Sequence, residues 1–370
     1  MKYIEEFRDR DTADYLVGAI ADSASKIEEH DRRIRIMEVC GSHTMAIGRY
    51  GIRDVMPESV EWLSGPGCPV CVTSSGYIDA AIELAARGIV LATFGDMMRV
   101  PGSRSTLAEI RSEGARIEVC YSPMAALDLA SAHPGQEVVF LGIGFETTVA
   151  PVVSLIPAAK ARGVENLCLL TAFKLVPPAL FALLEDSELA IDAFLCPAHV
   201  SSIIGSEAYR SIVEDRRIPC VVAGFEPLDI LYATLAIVQQ IGKREAELQN
   251  HYSRVVKPEG NRKAQRIIER YLEPCDATWR GLGKIADSAL ALREEFSQYD
   301  ASKRLGVEVT EGWSHPKCAC GEILKGKLRP EQCALFDRGC TPEKPVGPCM
   351  VSSEGSCAAA YHYSRMIDER

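Results

Sequence analysis

Seven short apolar runs, rich in β-branched residues, constrain this chain more than any other feature. They are RIRIMEV (33–39), GIVLATF (88–94), ARIEVC (115–120), EVVFLGI (137–143), NLCLLT (166–171), IDAFLC (191–196) and IPCVVAG (218–224). Amphipathic stretches such as GYIDAAIELAARG (76–88) and EPLDILYATLAIVQQI (226–241) lie between several of them. Strands that read as unbroken apolar runs are buried on both faces, and parallel neighbours need a crossover, usually a helix. The expected class is α/β with parallel sheets. A chain of 370 residues has room for two or three such units. EVVFLGI and IPCVVA both run into GFE, at 144–146 and 224–226, an echo that two related units or coincidence would equally produce.

In open parallel sheets, functional groups gather beyond the carboxyl ends of the strands. CGSHT (40–44), FGD (94–96), GFETT (144–148), CPAHVSS (196–202) and GFEP (224–227) each follow an expected strand, so they fall where a cleft would form. Glu146 with Thr147 and Thr148 offers a carboxylate and two hydroxyls, or simply caps a helix. His199 carries the same ambiguity, and Asp96 and Arg99 are placed to pair. Neither a Walker A sequence nor G-x-G-x-x-G occurs, and GIGFET lacks the third glycine.

Residues 260–300 read as helical and polar, with a break near Glu273-Pro274. Beyond about residue 313, Gly, Pro and Cys dominate and periodicity fades. Such a segment buries too little apolar surface to order itself and calls for a covalent or metal staple.

The net charge of −10 argues against nucleic acid, whose phosphates need a basic surface. No apolar run approaches the ~20 residues of a membrane span. The stretch MKYIEEFRDRDTAD lacks the apolar core of a signal peptide, so a cytoplasmic location is expected. In a reducing compartment, disulfide scaffolding is the wrong default for fourteen cysteines. Six of them, Cys318, Cys320, Cys333, Cys340, Cys349 and Cys357, fall within 40 residues. Cys318, Cys333, Cys340 and Cys357, on separate loops, suit a structural zinc or an iron–sulfur cluster. The lack of two close C-x2–4-C pairs favours iron–sulfur.

GPGCPVC (65–71) is a rigid, sharply turned loop, because Gly65 and Gly67 permit unusual backbone angles and Pro66 and Pro69 fix φ. Cys68 and Cys71 are spaced for a disulfide, a shared metal or a tight turn. Thr73-Ser74-Ser75 supply hydroxyls and a helix cap from Tyr77, and a thiol at a helix N-terminus has a lowered pKa. Cys40, at a strand end, can be a nucleophile, a metal ligand or a small core residue. His43, two residues past Gly41, strengthens the first two readings or only hydrogen-bonds the helix entry.

CGSHT, GPGCPVC, FGDMMRVPGS, GFETT, CPAHVS, GFEPLDIL and the terminal C-x14-C-x6-C-x16-C together resemble the HypD family of hydrogenase maturation proteins, from about residue 34 to about 363. One departure is Asp337 in CALFDRGC, where a small residue is expected. The resemblance implies two parallel-sheet α/β domains facing a cleft, plus a C-terminal helical and loop-rich Fe–S domain. On this chain that gives domains at 1–135, 136–245 and 246–370. It implies a scaffold on which the Fe(CN)2CO unit of [NiFe]-hydrogenase is assembled, working with the chaperone HypC and receiving cyanide from a HypE–HypF pair. A [4Fe-4S] cluster would be held by Cys318, Cys333, Cys340 and Cys357. Cys40 would hold the nascent iron with its cyanide and carbonyl, Cys68 and Cys71 would be essential thiols in the same cleft, and Cys320 with Cys349 a second redox pair. Thiolates suit soft, low-spin iron, and attaching cyanide and carbonyl needs electrons, so a cluster, a dithiol and a C-x-x-C form a plausible path. The competing reading is a stand-alone Fe–S thiol-disulfide oxidoreductase.

Overall fold

The computed structural model describes residues 5–27 and 32–363, so the first four residues of the charged N-terminal stretch lie outside it. Two sheets organise the chain. The first has the order β2 (Val60–Ser64), β1 (Ile34–Glu38), β7 (Ala193–Pro197), β8 (Cys220–Ala223), β9 (Leu248–Asn250) and is parallel throughout. The second has the order β10 (Leu272–Trp279), β11 (Gly283–Leu292), β6 (Leu167–Lys174), β5 (Val138–Gly144), β3 (Val90–Thr93), β4 (Ile117–Val119). Its β3 to β6 are parallel, and the β10–β11 hairpin adds antiparallel to β6.

All seven expected strands form; most of the apolar runs are covered on both faces, while the edge strand Ile117–Val119 buries only Ile117. β5 is buried along its whole length. Its Val139 and Leu141 face a core shared with Met37 and Leu63 of the first sheet, while its Val138 and Phe140 face a second core under the helix Glu146–Val153. A third core, with Ile36, Trp62 and Leu195, lies on the outer face of the first sheet beneath the helices Arg10–Ser25 and Pro227–Gly242. The apolar faces of both sheets therefore meet in one continuous interior.

The sheets do not follow the divisions at 135 and 245. The chain places β1 and β2 in the first sheet, crosses for β3 to β6, returns for β7 to β9, and crosses again for the hairpin. The two GFE strand ends thus belong to different sheets. The helical expectation for 260–300 holds over Arg262–Tyr271 and, as a 3-10 helix, over Glu294–Tyr299. From Leu272 the chain is the hairpin. Its reversal at Arg280-Gly281-Leu282-Gly283 uses two glycines with φ of 82° and 80°, a turn signal stronger than the helical pattern around it. Pro274 is tolerated because β10 is an edge strand.

Candidate functional site

Cys40 follows β1 in extended backbone and caps the helix Gly41–Arg49. The Gly65 N–H donates to the Glu38 carbonyl at 2.8 Å, and the Gly41 N–H donates to the Gly67 carbonyl at 3.0 Å. A Cβ on Gly67 would stand 2.3 Å from the Cys40 nitrogen and 2.5 Å from its Cα. Only glycine allows this loop to lie on the Cys40 backbone, and Cys68 is the next residue. Cys68 caps the short helix Pro69–Val72, its sulfur accepting the Cys71 N–H at 3.2 Å. The two cysteines form a buried disulfide with Cα atoms 5.2 Å apart. The following hydroxyls have a different task from the one expected. The helix begins at Ser75 without a side-chain cap, and Ser75 Oγ instead donates to the Trp313 carbonyl at 2.8 Å, tying the incoming C-terminal segment to this loop.

The surroundings of Cys40 are dry. Burial pushes its thiol up to about 12, helped by the nearby Glu354 carboxylate. Glu38 is wholly buried beneath it, and burial raises that carboxyl to about 8 although Thr44 Oγ1 donates at 2.6 Å and the Cys40 N–H at 3.2 Å. His43 is buried too. Its Nε2 meets the Ala223 and Gly224 carbonyls at 3.2 and 2.9 Å, which makes Nε2 the protonated nitrogen. Burial lowers His43 to about 4; through Nε2 the ring joins the ends of β1 and β8, while its Nδ1 has no partner. Phe225 packs between His43 and His199, with ring centroids 4.7 and 4.2 Å away. CGSHT, CPAHVSS and GFEP therefore converge at the carboxyl end of the first sheet.

GFETT sits at the corresponding end of β5, and the helix it opens packs against the helix Ala198–Ile204 that follows β7. Glu146 is buried there. Its Oε1 accepts the Val176 N–H at 2.9 Å, its Oε2 has no partner, and burial raises it to about 7. Arg99 donates to the Pro342 carbonyl at 3.1 Å rather than pairing with Asp96.

The six C-terminal cysteines line a single apolar pocket with Ile323, Leu335, Phe336 and Met350. Gly347 is needed at its wall, since a Cβ there would stand 2.7 Å from the Cys318 sulfur. The Val346 N–H donates to Cys340 Sγ at 3.2 Å. Cys318, Cys320 and Cys349 are neighbours in this pocket, each acting on the next thiol's proton affinity. Burial and these neighbours hold Cys318, Cys320, Cys340, Cys349 and Cys357 above the usual thiol range. Among the described residues, no three Cys, His, Asp or Glu side chains close on a point that one metal ion could occupy. An all-sulfur, apolar pocket with its donors spread around the wall fits a multi-iron cluster better than one tetrahedral ion. Asp337, the departure noted in the sequence, has φ 57°, a backbone that glycine adopts freely and Asp tolerates better than most residues.

Arg280, at the hairpin turn, went unnoticed in the sequence. Its N–H donates to the Val72 carbonyl at 2.8 Å, Nε to the Thr73 carbonyl at 3.0 Å and Nη1 to Ser314 Oγ at 3.0 Å. Its charge acts on Cys318, Cys320 and Cys349 in the direction that favours thiolate. The neighbouring Gly281 fits against Gly321, where a Cβ would come within 2.3 Å of backbone. The turn is thus wedged between the C-x-x-C helix and the cysteine pocket. Its only sequence signal was the glycine pair in WRGLG.

Comparison with known proteins gives a consistent result. The HypD family model, described as "Hydrogenase formation hypA family", matches residues 13–364. "Hydrogenase maturation factor HypD" of Azotobacter vinelandii is 46% identical over 373 residues, covering 99% of this chain and 97% of that protein. The protein of the same name from Escherichia coli K12 is 41% identical over 372 residues, covering all of both chains.

Proposed function

The chain belongs to the HypD family, and we propose that it serves hydrogenase maturation as a scaffold with redox capacity for assembly of the Fe(CN)2CO unit. In this reading Cys40 anchors the substrate iron, with a HypC-type chaperone supplying the opposing ligand and HypE, charged by HypF, delivering cyanide. Cys318, Cys333, Cys340 and Cys357 hold a [4Fe-4S] cluster, which would supply electrons singly. Each buried thiol must release its proton to bind iron, so the raised thiol pKa values are those of ligands that a metal, not water, deprotonates.

One observation carries the proposal. The helix Pro69–Val72 touches Cys40 through Gly67 on one side and packs against the segment Pro348–Met350 on the other. The pair Cys68–Cys71 therefore stands between the iron anchor and Cys349. Reduction of that disulfide breaks one S–S bond, consumes two electrons and two protons, and leaves two thiols. Arg280 steadies the helix while the bond opens and closes. Thiol exchange needs an accessible sulfur, so in this reading a partner displaces the C-terminal segment, whose Glu354 packs on Gly41 and accepts Ser42 Oγ at 2.9 Å beside Cys40.

The test is an infrared spectrum of the chain purified without oxygen together with its small chaperone. Bands in the metal-bound cyanide and carbonyl region, lost in Cys40→Ala while iron–sulfur absorbance stays, are expected. Bands that survive Cys40→Ala would overturn the anchor. Absent bands, with iron and sulfide accounting for one cluster alone, would leave the stand-alone thiol-disulfide oxidoreductase in its place.

A further inference from the structure

The guanidinium of Arg280 is only partly used by the bonds it makes. Nε and Nη1 donate to neutral oxygens, the Thr73 carbonyl and Ser314 Oγ, each at 3.0 Å. Neither bond supplies a negative charge. Nη2 is buried and has no hydrogen-bond partner. A guanidinium keeps its proton in proteins, and buried N–H donors are nearly always bonded, so this arm of the fork calls for an anion. The cysteine pocket lies beside it. Gly281, the next residue, fits against Gly321, and Gly321 follows Cys320. The charge of Arg280 reaches Cys318, Cys320 and Cys349 and favours the anionic form of each sulfur. The rest of the pocket wall is apolar, with Ile323, Leu335, Phe336 and Met350, so little there screens that charge.

We propose that Arg280 is the counter-charge of the thiol pocket, a positioning residue that stabilises its electron-rich state and sets the potential at which it takes up an electron, a role that rests on the iron–sulfur cluster proposed above. Iron and sulfide held by four thiolates carry net negative charge, and reduction by a one-electron donor adds one more while no bond breaks. The electrostatic cost of that step falls on the surroundings. A fixed cation at an apolar wall lowers it, and an N–H directed at a ligand sulfur acts in the same direction. The backbone N–H and Nε of the same residue hold the Val72 and Thr73 carbonyls, at the end of the C-x-x-C helix. The charge is therefore fixed between the pocket and the Cys68–Cys71 disulfide and cannot follow solvent away from either.

Redox titration of the full chain, purified without oxygen and reduced with dithionite, tests this, the midpoint being read from the paramagnetic signal of the reduced cluster. Arg280→Gln is expected to make reduction about tenfold less favourable, a shift of about 59 mV to more negative potential. Arg280→Met, which keeps the length of the stem without charge, is expected to do the same. Arg280→Lys keeps the charge without the planar fork and is expected to retain most of the original potential. Iron and sulfide content shows which variants hold the cluster, and its loss from both neutral variants with retention in Arg280→Lys would equally support the counter-charge. A midpoint unchanged in the neutral variants, one that moves as far in Arg280→Lys, or loss of iron from all three would overturn the role and leave Arg280 a packing residue. Absence of iron–sulfur absorbance from the unaltered chain is a separate failure, which overturns the cluster itself.

Discussion

Cys40, Cys68 and Cys71 stand where strands end. The six cysteines from Cys318 to Cys357 stand on loops and three short helices, Cys320–Leu324, Pro348–Met350 and Ser356–Tyr363. In the first region the position of each sulfur is set by the sheet: β1 and β2 fix the loops after them, and Gly65 and Gly67 lock those loops together through backbone hydrogen bonds. In the second, hardly any ladder exists beyond an isolated bridge between Phe336 and Cys340, and the side chains that meet at the centre are the cysteines themselves. The first region is a site built by a fold, whereas the second is a fold built around its site.

The largest effect expected from this contrast follows removal of the iron that the proposed cluster would hold. With a chelator under oxidising conditions, amide exchange protection across 318–357 is expected to collapse while β5 and β7 stay protected. Retained protection across 318–357 in the iron-free chain would break the comparison, showing that packing against the helix Gly41–Arg49 orders the segment without a staple.

The same contrast decides what was legible in the sequence. β5 and β8 could be read because an unbroken apolar run has few alternatives to a buried parallel strand. β9, with the half-buried LQN, and β2, whose VEWLS mixes faces, gave no such signal. The hairpin reads as helix because Leu272–Trp279 is fully buried only at its two ends and the buried residues of Gly283–Leu292 gather in its second half without a strand's alternation, leaving the glycine turn as the deciding cue. The cysteine spacing pointed to the thiol pocket without giving its shape. Arg280 could not be found, since its role depends on two contacts more than 30 residues or 200 residues distant in sequence. The sequence marks His43 as a candidate site residue without revealing its seat against the β8 carbonyls, which makes it part of the frame as well.

A substitution in each region measures the difference directly. Gly67→Ala drives a methyl into the Cys40 backbone, which the β1 ladder holds in place, and is expected to cost about 3 kcal/mol or more. Gly347→Ala meets the tip of one side chain, Cys318 Sγ, on a loop that can yield, and is expected to cost about 1 kcal/mol in the iron-free chain. Urea midpoints of the two variants check the order. Equal losses would mean that the thiol pocket is as rigid as the sheet, and the distinction drawn here would fail.

Acid offers the finest comparison, through His43. Its folded pKa, about 4, lies below the ordinary 6.5 because the ring is buried neutral. Between those values the unfolded chain binds a proton that the folded chain refuses. Stability is therefore complete above pH 6.5 and falls as pH drops toward 4, by roughly 3 kcal/mol in all. His43→Gln is expected to flatten this limb while lowering stability at neutral pH, since the amide replaces the ring but not its packing on Phe225. With the proposed cluster in place, the thiol pocket would lose order in acid by a separate route, protons displacing iron from sulfur. Two probes separate the routes: exchange at β8 amides for the frame and iron–sulfur absorbance for the pocket. Substituting His43 is expected to move the first transition and leave the second in place. Coincident transitions that both move with His43 would show that the sheet ends and the cysteine pocket unfold as one unit, joined through the contacts of Gly41 and Ser42 with Glu354.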